Sequence, residues 1–124
     1  PLDYGRARAE NMTAPGCDPE ILEDFARIAA ETRKAGLEAA ARVVSEADNR
    51  SHFAHLDMPV LVLAGDLDRT VSRASTEELV DAIPGHLPSF ALHYLPDVGH
   101  APYMEDANLY NTVLGDFLSS LHHT

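Results

Sequence analysis

Positive charge, cysteine and long apolar runs are all scarce in this sequence, and each scarcity excludes a class of protein. The 124 residues carry 9 basic side chains against 20 acidic ones, for a formal net charge of −11. Such a chain repels nucleic acid and anionic membrane surfaces, so we expect neither as a partner. The single cysteine, Cys17, cannot form an internal disulfide and fits a reducing compartment.

Targeting and membrane signals are also lacking. No apolar segment approaches the roughly 18 residues that a transmembrane helix needs. The first residues lack the charged and apolar regions of a signal peptide. We therefore expect a cytoplasmic protein. A hydrophobic content of 45% in 124 residues fits one globular domain with its own core.

The first third of the chain has helical patterning. Residues 1–16 mix proline, glycine and charges with little periodicity, which predicts an irregular lead-in that includes a short helix. Asp18 followed by proline is typical of a helix start, and we expect this helix to end near Gly36. Apolar residues at helical spacing over 37–47 predict a second helix, which would form an αα-hairpin with the first.

The remainder alternates strand and helix. The continuous apolar run over 60–64 predicts a parallel strand that is buried on both faces. A helix over 72–83 and a second strand over 90–95 complete a β-α-β unit. From Glu105 onward, apolar residues recur at helical spacing and predict a C-terminal helix that packs on the sheet. The fold class is therefore α/β.

A histidine and a carboxylate follow the two predicted strands. His100 comes after Gly99 in a turn behind the second strand, and Asp68 ends a Gly-x-x-Asp turn behind the first. Open α/β sheets keep their active sites at this end of the strands. These residue types are the base and the orienting acid of a hydrolytic triad. Asp66 also follows the first strand and competes with Asp68 for the acid position.

Three blocks of sequence carry a family resemblance. Residues 57–71, 83–85 and 96–102 resemble, in order and spacing, the C-terminal half of an α/β-hydrolase. The resemblance implies that Asp68 is the catalytic acid and His100 the catalytic base. It also implies a helical cap-like segment over 1–56, followed by the C-terminal part of the hydrolase core over 57–124 with an incomplete sheet.

The nucleophile of that family has no counterpart in this sequence. In α/β-hydrolases the serine sits in Gly-x-Ser-x-Gly on a strand-to-helix turn, and no serine here lies between glycines at that spacing. The serines are Ser45, Ser51, Ser72, Ser75, Ser89, Ser119 and Ser120. We therefore expect a half-enzyme that is inactive alone and pairs with a nucleophile-bearing N-terminal half or with a second copy of itself.

The activity implied by the resemblance is hydrolysis of a small ester, lactone or amide, without metal or organic cofactor. The alternative is a non-catalytic half-domain that serves as an interaction or self-assembly module. Two histidines, His52 and His55, have a metal-compatible spacing but no third ligand in sequence, so solvated side chains are the better interpretation. Cys17 is interpreted as an inert structural thiol. The pair His122-His123 is interpreted as a frayed tail.

Overall fold

A computed structural model describes residues 2–121 of the chain. Within those residues there are six α-helices, one 3-10 helix and a two-stranded sheet. In chain order the elements are α1 (Leu2–Met12), α2 (Pro19–Ala30), α3 (Lys34–Glu46), the 3-10 helix (Arg50–His55), β1 (Val60–Gly65), α4 (Arg73–Asp81), β2 (Phe90–Leu95), α5 (Pro102–Glu105) and α6 (Ala107–Ser120). The α/β class predicted from the sequence is confirmed.

The sheet is a parallel pair in which β1 and β2 run side by side without a stagger. Val60 lies opposite Phe90, and Gly65 lies opposite Leu95. The pairing continues past the strand ends, because the Asp66 N–H donates to Leu95 O at 2.9 Å. Both strands lie where the apolar runs predict them. Their carboxyl ends therefore leave the sheet together, at one end.

The strands are less buried than the sequence predicts. Residues 60–64 are each only half-buried, and Phe90 is 40% exposed, so the elements within residues 2–121 supply only part of the cover that the apolar run predicts. The physical reason is the small number of covering elements. Leu61 and Leu63 share a cavity with α6, whereas Val62 and Ala64 share one with α4. One helix on each face leaves the outer flank of β1 open.

The helical pairing in the first third differs from the expected αα-hairpin. The lead-in forms a full helix, α1, which packs on α2 at Gly5. A Cβ atom at Gly5 would lie 2.1 Å from Ala26 O, so only glycine permits this approach. In contrast, every residue of α3 is exposed. Within α2 the buried residues are Ala26 and Ala29, and the helix that packs on α2 is α1.

Helix ends are set by local caps. Helix α2 begins where predicted, with the Asp18 carboxylate accepting from the Glu20 N–H, but it ends at Ala30, so the predicted end near Gly36 is wrong. Gly36 lies inside α3. The predicted C-terminal helix is α6, which begins at Ala107 because Asp106 caps it by accepting from Leu109 N–H, while the short helix α5 ends at Glu105.

The most deeply buried residues surround the strand ends rather than the sheet. Buried apolar side chains fall between α1 and α2 and around the turns that follow the strands: Ala9, Ala14, Ala26, Ala29, Leu95, Val98 and Ala101. Thr13 is 2% exposed and joins the second group. Tight packing is therefore concentrated where the predicted site lies. No helix within residues 2–121 combines the length and apolar character needed to cross a membrane.

Candidate active site

The turn after β1 fixes Asp68 through its own backbone. One carboxylate oxygen, Oδ1, accepts the N–H groups of Thr70 at 2.7 Å and Val71 at 2.9 Å. A local turn of this kind is typical of aspartate, whose short side chain reaches the backbone two or three residues on. The other oxygen, Oδ2, is left to face a different partner.

That partner is His100. Its Nδ1 lies 2.9 Å from Asp68 Oδ2, and the Asp68 side chain is only 9% exposed. With Asp68 ionised, Nδ1 carries the proton and donates, which leaves Nε2 with its lone pair. Nε2 has no hydrogen-bond partner in the described part of the chain. The His100 side chain is 32% exposed and borders the cavities on both faces of β1.

The charge state of Asp68 follows from these contacts. Burial raises its pKa, but hydrogen bonds from the Val71 N–H, His100 and the Thr70 N–H outweigh that effect. The net result is a pKa below the usual carboxyl value, so Asp68 is an anion at neutral pH. An anion at Nδ1 is what an imidazole needs to act as a base through Nε2.

Asp66, the competing carboxylate, has another task. Its Oδ1 accepts the Asp97 N–H at 2.8 Å. Asp97 is the one non-glycine residue among those described with a positive φ, of 60°. Asp66 therefore holds the start of the histidine turn, and Asp68 alone of the two contacts His100.

Two glycines let the turns approach each other. A Cβ atom at Gly65 would lie 2.0 Å from Gly99 O, and one at Gly99 would lie 2.7 Å from Ala14 N. All of these neighbours are backbone atoms, which a small rotamer change cannot move. The glycines of the Gly-His and Gly-x-x-Asp patterns are thus required by the close approach of the two turns.

The end of α1 belongs to the site, and no pattern in the sequence predicts this. His100 N–H donates to Met12 O at 2.8 Å, and the Arg69 guanidinium donates to Thr13 O at 3.1 Å and to Glu10 O. Segment 10–14 is therefore bound to both turns. Arg69, the residue after Asp68, therefore joins the end of α1 to the turn that follows β1.

Glu105 was also missed as a site residue. Its carboxylate accepts N–H groups from Gly99, Ala101 and Ala14, the last at 2.6 Å. Sequence patterning identifies Glu105 only as the start of a helix. Ala101 precedes the first turn of α5, and Glu105 follows it by four residues. This spacing is the one sequence feature that could have indicated a contact between Glu105 and the start of α5.

The remaining candidates form no second site. His52 and His55 are exposed, and residues 2–121 contain no group of three side chains suited to a metal ion. Burial raises the pKa of the Cys17 thiol, with the charge of Glu105 adding to the effect, which fits the inert-thiol interpretation. The tail histidines 122–123 lie outside the described residues.

Neither a serine nucleophile nor an apolar cap pocket is brought to His100 by the described residues. Ser75 shares a cavity with His100, but its hydroxyl bonds to that of Ser72 at 2.9 Å. The apolar side chains of the cap-like segment that are candidates for an acyl pocket are Phe25, Ile28 and Met12, and none of them borders either cavity that reaches His100. Ile28 is 62% exposed instead.

Comparison with known proteins places this geometry in a fold. No protein-family model matches the chain. Protein ABHD14A of Mus musculus is 33% identical over 72 residues, which cover 58% of this chain and 27% of the mouse protein. A thermophilic esterase from Thermogutta terrifontis superposes with a TM-score of 0.78 at 24% identity, over 95% of this chain and 43% of that one. The bromoperoxidase from Bacillus anthracis gives 0.80 at 22% identity, over 95% and 44%.

This chain has the fold of the C-terminal part of an α/β-hydrolase. The resemblance inferred from residues 57–71, 83–85 and 96–102 is thereby confirmed for the fold. The chain spans about a quarter of the length of the curated relatives it matches and less than half of the similar structures. The α/β-hydrolase fold hosts several chemistries, so the reaction has to be argued from the site.

Proposed function

We propose that this chain is the acid- and histidine-bearing half of a serine-type hydrolase. Asp68 is the orienting acid, and His100 is the general base and later the general acid. A serine supplied by a nucleophile-bearing N-terminal half attacks the substrate carbonyl. The substrate is a small ester, lactone or amide, and water completes the reaction by hydrolysing the acyl-enzyme.

The observation that carries the proposal is the Asp68–His100 hydrogen bond of 2.9 Å between nearly buried acid and half-exposed base. The bond occupies Nδ1 and leaves Nε2 available on a side chain that borders both cavities. A serine hydroxyl within hydrogen-bond reach of Nε2 would lose its proton to it as the acyl bond forms. The protonated ring, stabilised by the Asp68 anion, would then return that proton to the leaving group.

The free flank of β1 is the place where the missing half fits. Among residues 2–121, β1 pairs only with β2, so its other edge exposes unpaired N–H and C=O groups beside half-buried apolar side chains. Cavities on both faces of β1 include His100 and Pro102. A parallel strand added at this edge would have its carboxyl end at the same end of the sheet as the turns that carry Asp68 and His100.

Complementation tests the proposal directly. The 124-residue chain alone should hydrolyse para-nitrophenyl acetate no faster than free imidazole does, and a fluorophosphonate should not label it. Addition of the half that carries Gly-x-Ser-x-Gly should restore turnover. In the restored enzyme, Asp68→Asn should lower turnover by a factor on the order of 10⁴, the effect known for the acid of a serine protease.

Asp66→Asn is the matched control, because it makes the same chemical change in the same turn without touching His100. The amide oxygen can still accept the Asp97 N–H, so turnover should stay within a few-fold of the parent. Equal losses in the two variants would contradict the assigned roles. Fluorophosphonate labelling of the chain alone would identify a serine nucleophile within it and overturn the half-enzyme proposal.

A further inference from the structure

Three consecutive peptide N–H groups surround the histidine, and all three are held by side-chain or main-chain acceptors from elsewhere. The N–H of His100 itself donates to Met12 O at 2.8 Å. Those on either side, of Gly99 and Ala101, donate to the Glu105 carboxylate at 3.0 and 3.2 Å. The backbone that carries the imidazole is thus held by a hydrogen bond from each of these three N–H groups.

The Glu105 carboxylate divides its two oxygens between two parts of the molecule. Oε1 accepts from Gly99 and Ala101, whereas Oε2 accepts from Gly99 and, at 2.6 Å, from Ala14. Ala14 belongs to the segment between α1 and α2, far from the histidine turn in sequence. One half-buried anion therefore joins the two segments that enclose the catalytic pair.

Helix capping accounts for only one of these bonds. Ala101 precedes α5 and has no side chain able to cap it, so a glutamate at the end of this short helix can take over its N–H. Neither Gly99 nor Ala14 lies in α5. Their N–H groups have no reason to converge on Glu105 unless the carboxylate also shapes the histidine turn.

We propose that Glu105 is a positioning residue for His100: it holds the peptide groups on both sides of the histidine and ties them to Ala14, and so sets the ring against Asp68. This inference rests on the Asp68–His100 pair of the proposed function. Glu105 does not touch the reacting atoms. Its contribution is to limit the freedom of the backbone that carries the base.

The state of the His100 ring is the readout, measured by nitrogen-15 and proton NMR on the whole chain. In the parent protein, we expect a proton on Nδ1 that exchanges slowly with water because Asp68 accepts it. Glu105→Ala should abolish that signal or speed its exchange about tenfold or more, which is the equilibrium change expected from one charge-assisted hydrogen bond. Glu105→Gln, with one acceptor oxygen instead of two, should fall between them.

Asp106→Ala is the control for lost stability. Asp106 is the neighbouring carboxylate and also accepts a backbone N–H, that of Leu109, but it serves only α6. The variant should retain the Nδ1–H signal of His100. A signal unchanged in Glu105→Ala, or lost equally in Asp106→Ala, would overturn the positioning role. Absence of the signal in the parent would instead show that the Asp68–His100 pair of the proposed function does not form.

Discussion

Gly99→Ala gives the sharpest test of how the site is packed. The added methyl carbon would lie 2.7 Å from both Ala14 N and Thr13 C, and 3.1 Å from Thr13 Cα. Non-bonded carbons prefer separations of about 3.5–4 Å, so the histidine turn and segment 13–14 would have to move apart. No φ in the left-handed region is involved at Gly99, so the contact alone decides the outcome.

The cost of that movement has two parts. Overpacking against atoms that cannot rotate away costs about 1–3 kcal/mol. Separation of the segments also weakens the Ala14–Glu105 bond at 2.6 Å, and a hydrogen bond to a charged group contributes about 1.5–3 kcal/mol. The free energy of unfolding should fall by roughly 2–5 kcal/mol, a large share of the about 5–15 kcal/mol of a typical domain.

Gly36→Ala is the matched control with the opposite expected sign. A Cβ atom there would have no neighbour within 4 Å, and Gly36 lies in the exposed helix α3. Alanine should stabilise this helix by about 0.5–1 kcal/mol. Urea unfolding followed by circular dichroism measures the change in unfolding free energy for both variants. All samples are kept at one protein concentration, because assembly would make the midpoint depend on concentration. Midpoints that shift in the same direction would refute the steric account of Gly99.

Three further predictions concern pH, the end of α1 and assembly. Because the pKa of Asp68 is lowered in the folded protein, its stabilising effect is present above the ordinary carboxyl pKa and lost as pH falls through the folded pKa. The difference in unfolding free energy between the parent and Asp68→Asn should therefore become smaller as the pH is lowered. The control is Asp48→Asn, at an exposed ion pair, which should change the free energy of unfolding little at any pH. Arg69→Ala should speed hydrogen exchange in α1 relative to α4, and equal rates would contradict its role in holding segment 10–14. In sedimentation, the purified chain should have a mass greater than that of one copy, because the edge of β1 is unpaired. A monomer that unfolds cooperatively would show that this edge needs no partner.

Local signals explain what the sequence could predict. The run over 60–64 and the run over 90–95 each specify a strand by composition alone, and the turns after them are defined by a few adjacent residues. Because parallel neighbours in a β-α-β unit end at the same edge, the approach of Asp68 to His100 follows from two local patterns and one topological rule.

Contacts between distant segments explain what could not be predicted. The Glu105–Ala14 bond joins residues 91 apart in sequence, and neither residue has a pattern that specifies the other. The packing of α1 on α2 could not be predicted for the same reason. A helical pattern predicts an apolar face but not the element that packs against that face. The half-burial of β1 is another example. An apolar run predicts that a strand will be buried, but it does not predict which segment will bury it.

The distribution of burial bears on how a complete enzyme would be assembled. Thr13, Val98 and Ala101, around the turns that carry Asp68 and His100, are at most 4% exposed, while β1 remains half-buried along residues 60–64. Contacts internal to this chain therefore fix Asp68 and His100, whereas the sheet has a flank that the described residues leave open. A second half that paired along β1 would bury the strand and supply the nucleophile without having to build the Asp68–His100 geometry. On this basis, the hydrogen bond between Asp68 and His100 Nδ1 should be present before the halves meet, and binding should bury Val60 to Ala64 without changing that bond.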